Sequence, residues 1–202
     1  MKNIQARVGK GLGAVASIIN ILDTISFGKK YFEMAITLRK TIFLSSILTN
    51  SEVWYGLTKN DIEEIESVDR LLLRRILGCQ ISTCKEALYL ETGSLSVETI
   101  IKSRRIKFLH FILNLDDSGI LSKFFRAQLA YPVKNDWTIQ VKQDLNDFEI
   151  KETLIELKKL SKEQITKLVK IKSHQYELKK LNKTSGIFEA KYNDSRGSKI
   201  SF

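Results

Sequence analysis

The chain has 202 residues, 43% of them hydrophobic, with two cysteines, one proline and a formal net charge of +10. This length and apolar content place it among globular proteins able to bury a core, and so few thiols exclude a small domain stapled by disulfides. The positive charge indicates a polyanionic partner, although residues 51–100 are net acidic, which excludes a uniformly basic, histone-like protein.

Long segments with helical periodicity and little proline predict an all-α fold, an irregular bundle of about seven to eight helices. The first helix is expected within residues 8–22. Its apolar side chains recur at alternating steps of four and three residues, which predicts one buried stripe: Val8, Leu12, Val15, Ile19 and Leu22. Three glycines in its first turns are tolerable if another element packs closely there.

The next two helices are predicted from different signals. Residues 31–48 are apolar nearly all round, as expected for a helix that runs through the core. Thr58 then predicts an N-cap, and Gly78 predicts the end of the helix that follows it. Acidic residues fill the first half of this helix, and Arg74 and Arg75 lie near its end, as the helix macrodipole favours.

A short helix is predicted from a capping box at residues 83–86 through Leu90. A longer one is predicted from Ser96 to about Leu115, with an apolar face that includes Ile101 and Phe108. Its remaining surface is crowded with basic side chains: Lys102, Arg104, Arg105, Lys107 and His110. Like charges at this spacing repel one another, so a polyanion would stabilise them. The alternative is a solvated face neutralised by nearby acidic residues.

Two further helices are predicted towards the C-terminus. Asp136 is a candidate cap for the first, which would bury Trp137. Ser161 begins a capping box for the last, which is expected to end at about Lys183 and to have a polar surface dominated by lysine. Residues 191–202 predict a disordered tail. This divides the chain into a helical domain, residues 1–160, and a basic helix with its tail, residues 161–202.

No metal, cofactor or catalytic group is predicted. The pair Cys79 and Cys84 lacks histidines at zinc-finger spacing, since His110 and His174 lie too far along the chain. The acidic pair at positions 116 and 117 follows an amphipathic helix and precedes Ser-Gly, which is typical of a turn. A metal-binding aspartate pair of a polymerase would instead lie on a β-hairpin.

The sequence also predicts no membrane partner and an intracellular protein, in the nucleus or the cytoplasm. No apolar run reaches the eighteen or so residues needed to span a bilayer. The basic residues before the apolar run at positions 11–22 superficially resemble a secretory signal, but no small-residue cleavage site follows.

Four short segments, in their order and spacing, resemble the region that follows the polymerase palm in reverse transcriptases of non-LTR retrotransposons, especially jockey-like elements. They are Trp54-Tyr55-Gly56, Arg74-Arg75-Ile76-Leu77-Gly78, Ala87-Leu88-Tyr89-Leu90-Glu91 and Arg104-Arg105-Ile106-Lys107. The resemblance begins near Asn3 and fades beyond about Leu160. It implies a thumb-like helical part of an RNA-directed DNA polymerase, which holds the primer-template duplex by its backbones.

The resemblance also implies what this chain does not do by itself. The aspartates of the palm are absent from these residues, so the chain alone is not expected to be an enzyme. RNA or an RNA-DNA duplex is the expected partner, bound without sequence preference. The predicted phosphate contacts are Arg74, Arg75, Lys102, Arg104, Arg105 and Lys107. Trp54 and Tyr89 are expected in the core rather than stacked on bases.

Three alternatives remain open. The helix at residues 31–48, separated from a palm, could expose an apolar patch for self-association or for another polypeptide. A separately encoded palm domain could supply the catalytic aspartates. The chain could also be a gene remnant without function.

Overall fold

A computed structural model of the chain describes the backbone of residues 4–134 and 136–197, and the side chains of these ranges up to residue 182. Within these ranges the secondary structure is helical, with no strand, and eight of the helices have seven or more residues. The predicted all-α class is therefore confirmed. In the same part of the chain, no helix is both long and apolar enough to cross a membrane.

In chain order, the helices are α1 (Ile4–Leu22), α2 (Lys29–Leu38), α3 (Leu44–Ile47), α4 (Lys59–Leu77), α5 (Lys85–Thr92), α6 (Val97–Leu113), α7 (Ile120–Ala130), α8 (Trp137–Asp147), α9 (Leu154–Lys159) and α10 (Lys162–Gly197). A π-helical turn, Arg39–Phe43, joins α2 to α3. A 3-10 turn, Ser51–Val53, follows α3.

Most of the predicted helix caps are confirmed. Thr58 and Asp61 form a reciprocal capping box at the start of α4, and Gly78 ends that helix with φ of 65°. The side chain of Asp136 accepts the N–H of Ile139, and that of Ser161 accepts the N–H of Gln164. These caps depend only on residues three positions apart, which is why sequence shows them.

The capping box predicted at residues 83–86 is wrong. Helix α5 begins at Lys85, its N-cap residue is Cys84, and the Cys84 side chain accepts no capping hydrogen bond. The carbonyl of Thr83 instead accepts a hydrogen bond of 3.0 Å from Nη2 of Arg74, so Thr83 belongs to the connection with α4.

The buried face of α1 differs from the predicted stripe. Leu12 is exposed, whereas Gly11, Ala14 and Ile18 are buried. The cause is close packing at Gly11, where a Cβ atom would lie 3.0 Å from Cγ2 of Ile47 and 3.3 Å from Cγ1 of Val68. Gly11 of α1 therefore faces α3 and α4.

Residues 31–48 do not form one continuous α-helix. The π-helical turn interrupts it and carries Arg39, which is fully buried and pairs with Asp69 of α4. The exposed side chains of this segment are mostly polar, with Met34 as the large apolar exception. Tyr31, Phe32, Ile36, Leu38 and Ile42 are partly buried, and docking of another polypeptide on this segment stays a prediction.

The core consists of two groups of buried side chains. The N-terminal cluster spans Ile4 to Ile101 and draws on α1 to α5, the π-helical turn and the start of α6. The C-terminal cluster spans Ile106 to Val169 and draws on the rest of α6 and on α7 to α10. Ile165 and Val169 of α10 belong to this second cluster. The basic helix is thus packed on the same core as residues before position 160.

Helix α10 runs to Gly197 instead of ending near Lys183. Residues 191–197, predicted as disordered, are therefore helical, and no proline after Ser161 prevents the helix from continuing. The remainder of the predicted tail, residues 198–202, lies outside the described residues.

Candidate nucleic-acid interface

Helix α6 carries four of the six predicted phosphate contacts and contributes to both hydrophobic clusters. Its N-cap residue is Ser96, whose hydroxyl accepts the N–H of Thr99. Helices α4, α7, α8, α9 and α10 and the 3-10 turn all pack against it. Of its four predicted contacts, Lys102 and Arg105 are therefore buried, whereas Arg104 is half-buried and Lys107 is exposed.

Arg105 is buried in an ion pair, which corrects its prediction as a phosphate contact. Its Nε and Nη2 donate to the two carboxylate oxygens of Asp144 in α8, at 2.5 and 2.9 Å. Its Nη1 donates to the carbonyl of Trp54 at 3.1 Å. This bidentate geometry occupies the guanidinium within the protein.

Lys102 is also buried and does not reach solvent as predicted. Its ammonium lies 2.8 Å from Glu98 and 2.7 Å from Asp147, and it donates to the hydroxyl of Tyr176 at 3.0 Å. Burial alone would lower the pKa of Lys102, but the two carboxylates raise it above its ordinary value. Lys102 therefore fixes α6 against α8 and α10.

The two predicted contacts on α4 have local partners. Arg74 is half-buried and bonds to the Thr83 carbonyl, as described above. Arg75 is exposed and lies 3.2 Å from the carboxylate of Asp23, which follows α1. With Lys102 and Arg105 buried, the six predicted residues do not make one phosphate-binding face.

Two of the predicted contacts, Arg104 and Lys107, do lie near a third cation, Arg7, and we call these three residues the basic cluster. Nη1 of Arg104 donates to the carbonyl of Leu48 at 2.5 Å, and Nη1 of Arg7 donates to the carbonyl of Ile47 at 2.9 Å. These carbonyls end α3, where the helix dipole favours cations. Lys107 follows Arg104 by one turn of α6.

The electrostatics of the basic cluster favour an external anion. No carboxylate of the described residues forms an ion pair with Arg7, Arg104 or Lys107. Partial burial lowers the pKa of all three side chains, and the charge of Arg104 lowers the pKa of Lys107 further. Glu52 opposes this shift at Arg104.

Sequence reasoning missed Arg7 as a member of this cluster. Its partner Ile47 lies 40 positions along the chain. Its guanidinium also lies 4.2 Å from the ring centroid of Trp54, a contact of the cation–π type. Neither contact follows from the periodicity of α1.

An apolar groove of about 240 Å³ opens beside α6, between α7 and the segment around the 3-10 turn. Phe108, Phe125 and Trp137 line it, with Tyr55 and Phe124 at its exposed edges. The ring of Trp137 lies edge-on to those of Phe108 and Phe125, with centroid distances of 5.8 and 6.2 Å. Its Nε1 donates to the carbonyl of Glu52 at 2.7 Å, so the groove wall is fixed in place.

The described residues do not offer a metal site. No group of three histidine, cysteine or acidic side chains among them is arranged to hold a metal ion. Cys79 and Cys84 are exposed free thiols, and His110 bonds to the carbonyl of Leu160.

The segments that carry the resemblance to reverse transcriptases have mainly structural roles. Trp54 and Tyr89 are buried, as predicted, and the Tyr89 hydroxyl donates to Asp69. Gly78 caps α4, and Ile106 lies in the C-terminal cluster. No family model, no curated protein and no solved structure matches the chain.

Proposed function

We propose that this chain is the thumb-like part of the RNA-directed DNA polymerase of a non-LTR retrotransposon. In this proposal it binds the sugar-phosphate backbone of RNA or of an RNA-DNA duplex without sequence preference, inside the cell, in the nucleus or the cytoplasm. The observation that carries the proposal is the basic cluster of Arg7, Arg104 and Lys107. Since the chain lacks the palm aspartates, it holds a strand but does not extend a primer by itself.

The basic cluster supports backbone binding better than the six residues predicted from sequence. Its three cations are half-buried or exposed and have no ion-pair carboxylate among the described residues, whereas Lys102 and Arg105 are neutralised internally. Burial disfavours the charge on all three side chains, and a phosphate would offset that cost. Contacts of this kind position a strand and carry no base information.

The resemblance supports the proposal in a different way. Its matched residues are largely core and capping residues, such as Leu88, Tyr89 and Gly78. A resemblance at such positions indicates a shared helical framework rather than shared contacts to nucleic acid.

Binding of a labelled RNA-DNA hybrid, measured by fluorescence anisotropy at several salt concentrations, tests the proposal. Three phosphate contacts predict a log-log salt slope of roughly −2 to −3. Lys107→Ala is expected to reduce that slope by about 1. Arg75→Ala is the matched control, because its cation is already paired with Asp23, and the slope should not change. Salt-independent affinity, or none, would contradict the proposal.

A further inference from the structure

We infer that the apolar groove binds unpaired bases of a single strand, which stack on its aromatic side chains while Arg104 and Lys107 contact the phosphates. This inference rests on the proposed function and deepens it, because it names single-stranded nucleic acid as the ligand of this surface.

The first support is the unusual exposure of aromatic rings around the groove. Phe124 is 61% exposed, and Tyr55 and Phe111 are each 51% exposed. Phe111 stacks on Phe108 with a centroid distance of 5.8 Å and an interplanar angle of 19°. Large aromatic side chains are highly buried on average, so exposed rings grouped at one groove indicate a ligand that covers them.

The second support is the position of the cations relative to the rings. On α6, Arg104 precedes Phe108 by four residues and Lys107 precedes Phe111 by four residues, so each ring has a cation one turn away on the same face. Proteins that bind single strands combine a cationic track for the phosphates with aromatic side chains for the bases. Both components are present here on adjacent turns.

The size of the groove favours bases over a protein helix. An amphipathic helix inserts anchors at positions such as i, i+3, i+4 and i+7, over several turns. A groove of about 240 Å³ is small for a helix with such anchors but accommodates flat rings. Arg104 and Lys107, each one turn of α6 from a ring of this surface, favour a polyanion.

Two probes of equal length and phosphate number test the inference: an oligothymidylate and an abasic oligonucleotide. Their affinities are measured by anisotropy at one salt concentration. The abasic strand is expected to bind roughly tenfold more weakly or worse, since each stacked base contributes about 1–3 kcal/mol.

Variants identify the groove as the source of that preference. Phe124→Ala should weaken binding of the oligothymidylate and leave binding of the abasic strand unchanged. Because the Phe124 side chain is exposed, its removal should not unfold the protein. Phe27→Ala is the matched control, because Phe27 is exposed but does not line the groove, and neither probe should respond. Lys107→Ala should weaken both probes by the same factor.

The outcomes separate this inference from the function on which it rests. If both probes bind equally and salt still weakens them, stacking is overturned but backbone binding stands. If no nucleic acid binds, both are overturned. If Phe124→Ala instead changes self-association in light scattering without altering the preference for bases, the groove is a protein-docking surface and the inference is overturned.

Discussion

The N-terminal and C-terminal clusters differ in where their apolar surface lies. Around the N-terminal cluster, large exposed apolar side chains are distributed over α1, α2, α4, α5 and the loops. Around the C-terminal cluster, exposed apolar side chains are also distributed, but Leu121 and Phe124 lie together at one groove with Val53 and Tyr55. Scattered apolar residues are normal on a soluble surface, whereas a grouped set marks a binding site. The comparison teaches that the groove groups exposed apolar side chains, whereas those of the first region are scattered.

Both clusters also enclose an arginine–aspartate pair. In the N-terminal cluster, Arg39 donates to both carboxylate oxygens of Asp69, at 2.7 and 2.6 Å, and the Tyr89 hydroxyl adds a third hydrogen bond at 3.3 Å. The corresponding pair in the C-terminal region is Arg105 with Asp144. A basic residue in this sequence therefore does not by itself indicate a positively charged surface.

The largest effect is expected from breaking the N-terminal pair. Asp69→Ala leaves the Arg39 guanidinium buried and uncompensated, which should lower the free energy of unfolding by about 3–5 kcal/mol. Urea unfolding followed by circular dichroism measures this loss.

A double variant controls for the loss of the buried charge. Replacing Arg39 by Met together with Asp69 by Leu removes both charges and should recover most of the stability. If Asp69→Ala were as stable as the unaltered protein, the Arg39–Asp69 pair would not be buried as described.

A smaller effect is expected from two glycines of α1. Gly13→Ala adds a Cβ that meets nothing within 4 Å, so it should stabilise the helix by up to about 1 kcal/mol. Gly11→Ala adds one that presses on Ile47, Val68 and Phe43, which should cost about 1–3 kcal/mol. Thermal unfolding should therefore rank Gly13→Ala above Gly11→Ala. The reverse order would show that α1 packs loosely on α3 and α4.

The smallest effect concerns the attachment of α10 to the start of α6. Burial alone would raise the pKa of Glu98, but Lys102 and Lys180 lower it from 4.5 to about 2. The resulting stability is present above pH 4.5 and is lost as the pH falls towards 2. This contribution of Glu98 to the free energy of unfolding should be about 1–2 kcal/mol. It is smaller than the full pKa shift implies because the side chain is 30% exposed to solvent.

Glu98→Gln tests this attachment through its pH dependence. The variant should be less stable than the unaltered protein at pH 6 and should lose less stability between pH 4.5 and 2. Chemical unfolding at each pH measures the difference. If both proteins lost the same amount of stability between pH 4.5 and 2, groups other than Glu98 would cause the acid sensitivity.

Sequence predicted the fold class and most helix ends because these depend on neighbours. Thr58, Asp136 and Ser161 act on residues three positions away. The candidate site depends on pairs far apart in the chain, such as Arg105 with Asp144, 39 positions away. The polar face of a single helix does not reveal an acid supplied by another helix. Two of the six predicted contacts were therefore buried, and Arg7 was missed.

Helix α6 has one more consequence for the molecule. Its first turns belong to one cluster and its later turns to the other, with Ile101 and Ile106 only five positions apart. Cleavage of the chain between Ile101 and Ile106 would remove apolar side chains from both clusters. We therefore expect the two halves to unfold together, and binding of the proposed strand at the groove should slow amide exchange in the distant half as well.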